Sequence, residues 1–346
     1  MKKSLTLFFA ISILVACGKE KKSAITSDKE KISIMQNPDI NAQNFVSKLT
    51  EKVKHYPKEP IYYIRLGKEN CVIEVLVNDL PIHEDYELSN YATPIRINRG
   101  ILRSGKQKLT YRLYPTGDLM KESYGGDEAT VTTLTDLTSV SIKIIQMDNN
   151  GEQKLKDEVV IMQHSSLNDN SGKFIASGKA YYEYTFEFQA EVPYDIKGWA
   201  NGEDLTKLDQ KLLEKKALEF HQNYQKIYGN VDADALAKSN FGLEAIISQA
   251  YYKSEKENIN LWNEYLTFLK TKNKKFIDAT HYKKDFFGDG KIVALKQKSL
   301  EYPYRGLGIF FFEYLDDENI ESYYSLNIYL YLPQGKKLED GLYMIE

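Results

Sequence analysis

Histidine, cysteine and tryptophan are scarce in this sequence, and the shortages narrow its chemistry. The five histidines, His55, His83, His164, His221 and His281, are dispersed. None has a second histidine or a cysteine at metal-ligand spacing, and no His-Glu-x-x-His stretch occurs, so neither a metal nor another cofactor is expected. His164-Ser165-Ser166 near Asp169 has the letters of a catalytic triad, but there is no Gly-x-Ser-x-Gly elbow, and a polar loop is the simpler reading. Glycine-rich phosphate loops and dinucleotide fingerprints are missing. So is an excess of one charge: 46 basic against 49 acidic residues leave a formal charge of −3, which argues against a nucleic-acid partner.

What is present begins at the N-terminus. Met1-Lys2-Lys3 is followed by an apolar run from Leu5 to Val15, broken only by Thr6 and Ser12. The run is shorter than the roughly 20 residues a spanning helix needs, and a positive start, a short apolar core and small residues define a secretory signal. Leu14-Val15-Ala16-Cys17 closes it. This stretch resembles the lipobox of bacterial lipoproteins. The resemblance implies cleavage of residues 1–16, a diacylglycerol on the Cys17 sulfur and acylation of the new amine. Several acyl chains anchor stably, at about 0.8 kcal/mol per buried methylene. Gly18, where an aspartate would retain the protein, implies sorting to the outer membrane in a Gram-negative envelope. Loss of Lys2 and Lys3 with the signal moves the formal charge from −3 to −5. With Cys17 lipidated, only Cys71 is left and no intrachain disulfide can form. Cys71 begins the apolar run Cys71-Val72-Ile73-Glu74-Val75, where a buried, inert thiol is expected.

Residues 17–40 are polar enough to serve as a lipidated tether. Ala42, Phe45, Val46, Leu49 and Val53 follow helical period, which places a short helix within 41–57, closed by Pro57 and Pro60.

A β region over 61–195 comes next. Strands are expected at 61–66, 71–77, 94–98, 109–113, 130–135, 139–147, 157–163 and 180–192, with a tight hairpin at Asn78-Asp79. Tyr182, Tyr184, Phe186, Phe188, Ala190 and Val192 alternate with Tyr181, Glu183, Thr185, Glu187, Gln189 and Glu191, one face buried and one wet. The pattern predicts an antiparallel β-sandwich, Ig-like or jelly-roll. Val77-Asn78-Asp79, Pro94 to Asn98 and Ser104-Gly105-Lys106 resemble sandwich modules of surface and carbohydrate-binding proteins, without carrying binding residues across. The break at 193–203 is the expected boundary, with Trp199 filling the seam.

Beyond it the period changes to 3.6. Helices are expected at 205–227, capped by Asp204 and stopped at Gly229-Asn230, then at 232–254 and 259–270. Strands return at 275–283, 291–297, 306–315, 322–332 and 341–345, with turns at Gly288-Asp289-Gly290 and Asp316 to Asn319. The chain therefore reads as mainly β plus α+β. The second part, 204–346, comprises helices over 204–271 and an antiparallel sheet over 275–346. Its order resembles the cone-shaped NTF2-like fold.

Other candidate sites have plain readings. Asp285-Phe286-Phe287-Gly288-Asp289-Gly290 lacks the spacing and closing glutamate of a calcium loop. Asn149-Asn150-Gly151 and Asn168 to Gly172 are hairpin tips. Glu183 and Glu187 share a wet sheet face, and glycosidase chemistry would need another acid across a cleft. The function expected is therefore non-catalytic binding of a protein partner, a toxin or an envelope protein, by a lipoprotein held in the envelope through Cys17. Its sharpest form is an immunity protein that neutralises a periplasm-delivered toxin. The alternatives are a glycan or cell-wall binding lipoprotein and an envelope hydrolase using His164 or His281.

Overall fold

The computed structural model describes residues 36–150, 154–277, 280–299, 304–316 and 319–345. The signal, Cys17 and most of the tether lie outside them. So do Gly151, Asp317 and Glu318 of the expected turns and residues 278–279 of the expected strand 275–283.

The N-terminal part runs α1 (Phe45–Thr50), β1 (Pro60–Glu69), β2 (Val72–Val77), β3 (Leu80–Asp85), β4 (Ile95–Arg96), β5 (Gly105–Tyr114), α2 (Leu119–Tyr124), β6 (Ser139–Asp148), β7 (Val159–Ser165) and β8 (Tyr182–Ala190). Two four-stranded antiparallel sheets result, in the orders β4-β1-β6-β7 and β3-β2-β5-β8. They pack face to face. Tyr62 of the first sheet meets Phe188 of the second at 6.5 Å, and His164 meets Phe186 at 4.6 Å.

The C-terminal part adds α3 (Gln210–Asn230), α4 (Ala233–Ala250), α5 (Glu255–Lys270), β9 (Lys275–Phe276), β10 (Tyr282–Phe287), β11 (Ile292–Gln297), β12 (Phe310–Leu315), β13 (Glu321–Leu326), β14 (Tyr329–Tyr331) and β15 (Tyr343–Met344). The orders β10-β11-β14-β15 and β13-β12-β9 are joined where Lys296 pairs with Gly308. The fold is thus mainly β, a sandwich followed by helices and an antiparallel sheet.

The two parts belong to one compact unit, and strand alternation explains how. Ile292 and Ala294 of β11 and Tyr329 of β14 join the sandwich core. Val293, Leu295 and Leu330, one residue out of phase, join the helix core with Tyr224, Tyr228 and Phe310. Successive side chains of a strand point to opposite faces, so the C-terminal sheet lies between the sandwich and the helices. All six residues of β2 are buried for the same reason. Both of its faces are covered.

Local deviations have local causes. The short helix begins at Phe45 because Asn41 Oδ1 accepts from the amides of Gln43 and Asn44, holding that stretch in a turn. Residues 36–40 do not extend the tether: Ile40 is buried, and Asn37 Nδ2 donates to the Lys238 carbonyl at 2.9 Å. Asp204 caps only a 3₁₀ turn, whereas Asp209 caps α3 by accepting from Lys211 and Leu212. Ser254 and Glu257 form a capping box that starts α5 earlier than its apolar stripe suggests. No strand forms at 130–135, where Val131 makes a single bridge to Gly117. Only Ile95–Arg96 pairs within 94–98, and a 3₁₀ turn follows at Asn98–Gly100. The expected strand 322–332 divides at Asn327, β13 pairing with β12 and β14 with β11.

Candidate functional site

Two hairpin tips build a cleft. Asn78 and Asp79 connect β2 and β3 with φ of 51° and 62°, a left-handed pair that asparagine and aspartate tolerate. Gly288-Asp289-Gly290 connects β10 and β11, again at positive φ. A Cβ on Gly288 would come 2.9 Å from both the Trp199 ring and Ile292, so glycine is required there. The tips meet directly. Gly288 N donates to the Asp79 carbonyl at 3.0 Å, and Asp289 N donates to the Asp79 carboxylate at 2.9 Å. Asn78 Nδ2 ties the first tip to the Gly100 carbonyl and Gln107 Oε1.

Beside the tips lies a cleft of about 730 Å³, within the roughly 300–1,000 Å³ usual for ligand sites. Lys106, Lys108 and Thr110 of β5 line it with Thr185 and Glu187 of β8. Asp79, Asp289 and Lys291 contribute from the tips, Arg103 from the β5 approach, and Trp199 and Ala200 from a 3₁₀ turn. Trp199, expected to fill the seam, is 4 % exposed, and its Nε1–H is buried with no acceptor among the described residues.

The charges divide into committed and open groups. Lys106 pairs with Glu187 at 3.0 Å, and Lys291 donates to the Ala200 carbonyl. Arg112 lies 2.7 Å from Glu183 and 3.9 Å from both Asp79 and Glu74. Burial raises the Asp79 pKa, the Asp289 amide and Arg112 opposing. Arg103, Lys108 and Asp289 are exposed and have no ion partner among the described residues.

A buried polar seam continues from the cleft. Glu74 and Glu84 face each other across the β2–β3 pairing. Tyr86 donates to Glu74, while Glu84 accepts from Lys296 and from Asn327 Nδ2 at 3.2 Å. Burial raises the Glu84 pKa, Lys296 lowers it and the Glu74 charge raises it again.

The other candidates are not drawn to this cleft. His164 is half-buried, its Nε2 3.1 Å from the Tyr111 hydroxyl, and it stacks on Tyr184 and Phe186. Ser166 Oγ instead accepts from Val140 N, and Asp169 closes its own turn with Ser171 and Lys173. His281 contacts Thr280 Oγ1, His55 contacts Glu59, and His83 packs against Tyr91. His221 is buried without a ring-nitrogen partner among the described residues. Burial pushes the Cys71 thiol up to about 12. Asp285 pairs with Lys283, and Glu183 and Glu187 each pair with a cation. Tyr184 stacks on both His164 and Tyr182, which occupies ring faces a sugar would use.

Comparison with protein-family models, curated proteins and solved structures finds no match for this chain. The functional reading therefore rests on the geometry. Among the described residues no group of three His, Cys, Asp or Glu side chains could hold a metal ion. What sequence reasoning missed is the cleft wall, because Arg103, Lys106 and Lys108 lie outside the expected strands and carry no motif. Asn78-Asp79 and Trp199 were the available signals.

Proposed function

We propose that this chain is a lipoprotein held in the cell envelope through Cys17, in the outer membrane, and that it binds a protein partner at the seam cleft. The cleft is the observation that carries the reading. It has the volume of a ligand site, and two cations and an acid on its walls have no ion partner among the described residues. Its remaining charged groups are bound to one another or to backbone, an arrangement suited to recognition. No helix among the described residues is long and apolar enough to cross a membrane, and lipid at Cys17 supplies the attachment in this proposal.

In its sharpest form the partner is a toxin delivered into the periplasm. The test is a deletion strain challenged with the toxin encoded beside this gene. Sensitivity relieved by the wild-type gene, and not by Arg103→Glu/Lys108→Glu, supports the proposal. Growth unaffected by the deletion, or full rescue by the double variant, contradicts it.

A further inference from the structure

Three groups in the seam cleft are open to a ligand on different sides. Arg103 and Lys108 offer exposed cations, and Asp289 offers an exposed carboxylate. Trp199 lines the same cleft. We infer that the cleft takes a short extended peptide segment bearing a carboxylate. The carboxylate pairs with Arg103 and Lys108, and a peptide N–H donates to Asp289. The inference rests on the binding reading of the cleft and names its ligand class.

The wall chemistry selects a peptide over a polyphosphate or nucleic acid. Asp79, Glu187 and Asp289 line the same space as the cations and would repel a ligand charged along its whole length. A peptide alternates donors and acceptors along its backbone and can place one anionic side chain where the cations stand. Guanidinium-to-carboxylate contact is among the stronger and more directional polar contacts, which favours Arg103 as the anchor.

The chain has two tryptophans, Trp199 and Trp262, so its indole N–H spectrum contains two side-chain signals, assignable with Trp262→Phe. The experiment uses the chain from residue 17 onward carrying Cys17→Ser. It is titrated with a capped hexapeptide holding two central glutamates, with its glutamine counterpart and with inorganic phosphate. The expected result is a saturable shift of the Trp199 signal with the glutamate peptide while Trp262 stays still. The glutamine peptide, phosphate and the Arg103→Glu/Lys108→Glu variant should each bind at least about tenfold more weakly. Unchanged unfolding midpoints and an unmoved Trp262 signal show that the variant is folded; a variant that unfolds is replaced by Arg103→Gln/Lys108→Gln.

No saturable shift by about 10 mM peptide overturns the inference. So does equal binding of the glutamine peptide, or unchanged affinity in the folded variant. Phosphate binding as tightly as the peptide overturns it in favour of a free-anion site. If the peptides fail while the same variant loses toxin protection, the ligand class is wrong and the binding reading stands.

Discussion

The main-chain N–H of Asp289 donates to the carboxylate of Asp79 across 2.9 Å, although 210 residues separate the two. This bond and its neighbour, Gly288 N to the Asp79 carbonyl, lock one hairpin tip to the other and fix one wall of the cleft.

Asp79→Asn keeps an acceptor and a residue that tolerates positive φ while removing a charge that burial disfavours. It is expected to unfold within about 1 kcal/mol of wild type. Asp79→Ala loses the acceptor and places a Cβ-only residue at φ 62°, so a loss of about 1–3 kcal/mol is expected in urea unfolding. The folded pKa of Asp79 is raised. Its charge therefore opposes folding above that pKa and the penalty fades as pH falls. Wild type should gain on Asp79→Asn between pH 7 and pH 4.

Glu84 and Lys296 form the buried pair beneath the tips, with side chains 13 % and 3 % exposed. Lys296→Met strands the carboxylate and should destabilise by about 3–5 kcal/mol. Combined with Glu84→Gln, much of that loss should return. Because the folded pKa of Glu84 is already raised, protonation relieves the stranded acid. The single variant should be further below wild type at pH 8 than at pH 5, as unfolding midpoints will show.

His221 is 2 % exposed, neither ring nitrogen has a partner among the described residues, and burial pushes its pKa down to about 3. The unfolded chain takes up a proton near pH 6.5 that the folded chain refuses. Stability at this site is complete above that value and falls by up to about 1.4 kcal/mol per pH unit toward pH 3. His221→Leu should flatten the decline, measured as the difference in unfolding free energy between pH 7 and pH 4.5.

Val231 follows α3 with φ of 55°, a left-handed conformation at a β-branched residue that is 47 % exposed. Glycine is the usual occupant of such a helix end. Val231→Gly should therefore raise stability by about 1 kcal/mol, read as a higher urea midpoint with unchanged slope.

Much of the sandwich is legible because its signals are local. Strict alternation marks β8, and Asn78-Asp79 is a turn by its own backbone preferences. The helices are legible too, by their apolar stripes. The covering of Glu74 and the outer side of β2 is not, because a polar residue on a strand looks the same beneath water or beneath another sheet. Nor is the break at Asn327, where alternation runs on while the chain changes partners. Val131 and its threonine neighbours fail for the opposite reason: they favour a strand but find only a single bridge, to Gly117. The cleft inherits this limit, since its walls come from segments far apart in sequence.

The most direct test of the account is photo-crosslinking in intact cells from a light-activated residue at position 108 on the cleft wall. A control residue goes at position 256, on the exposed face of α5. The account predicts a discrete protein adduct from position 108 that the control does not give and that Arg103→Glu weakens. No adduct from position 108, or the same adducts from both positions, would contradict it.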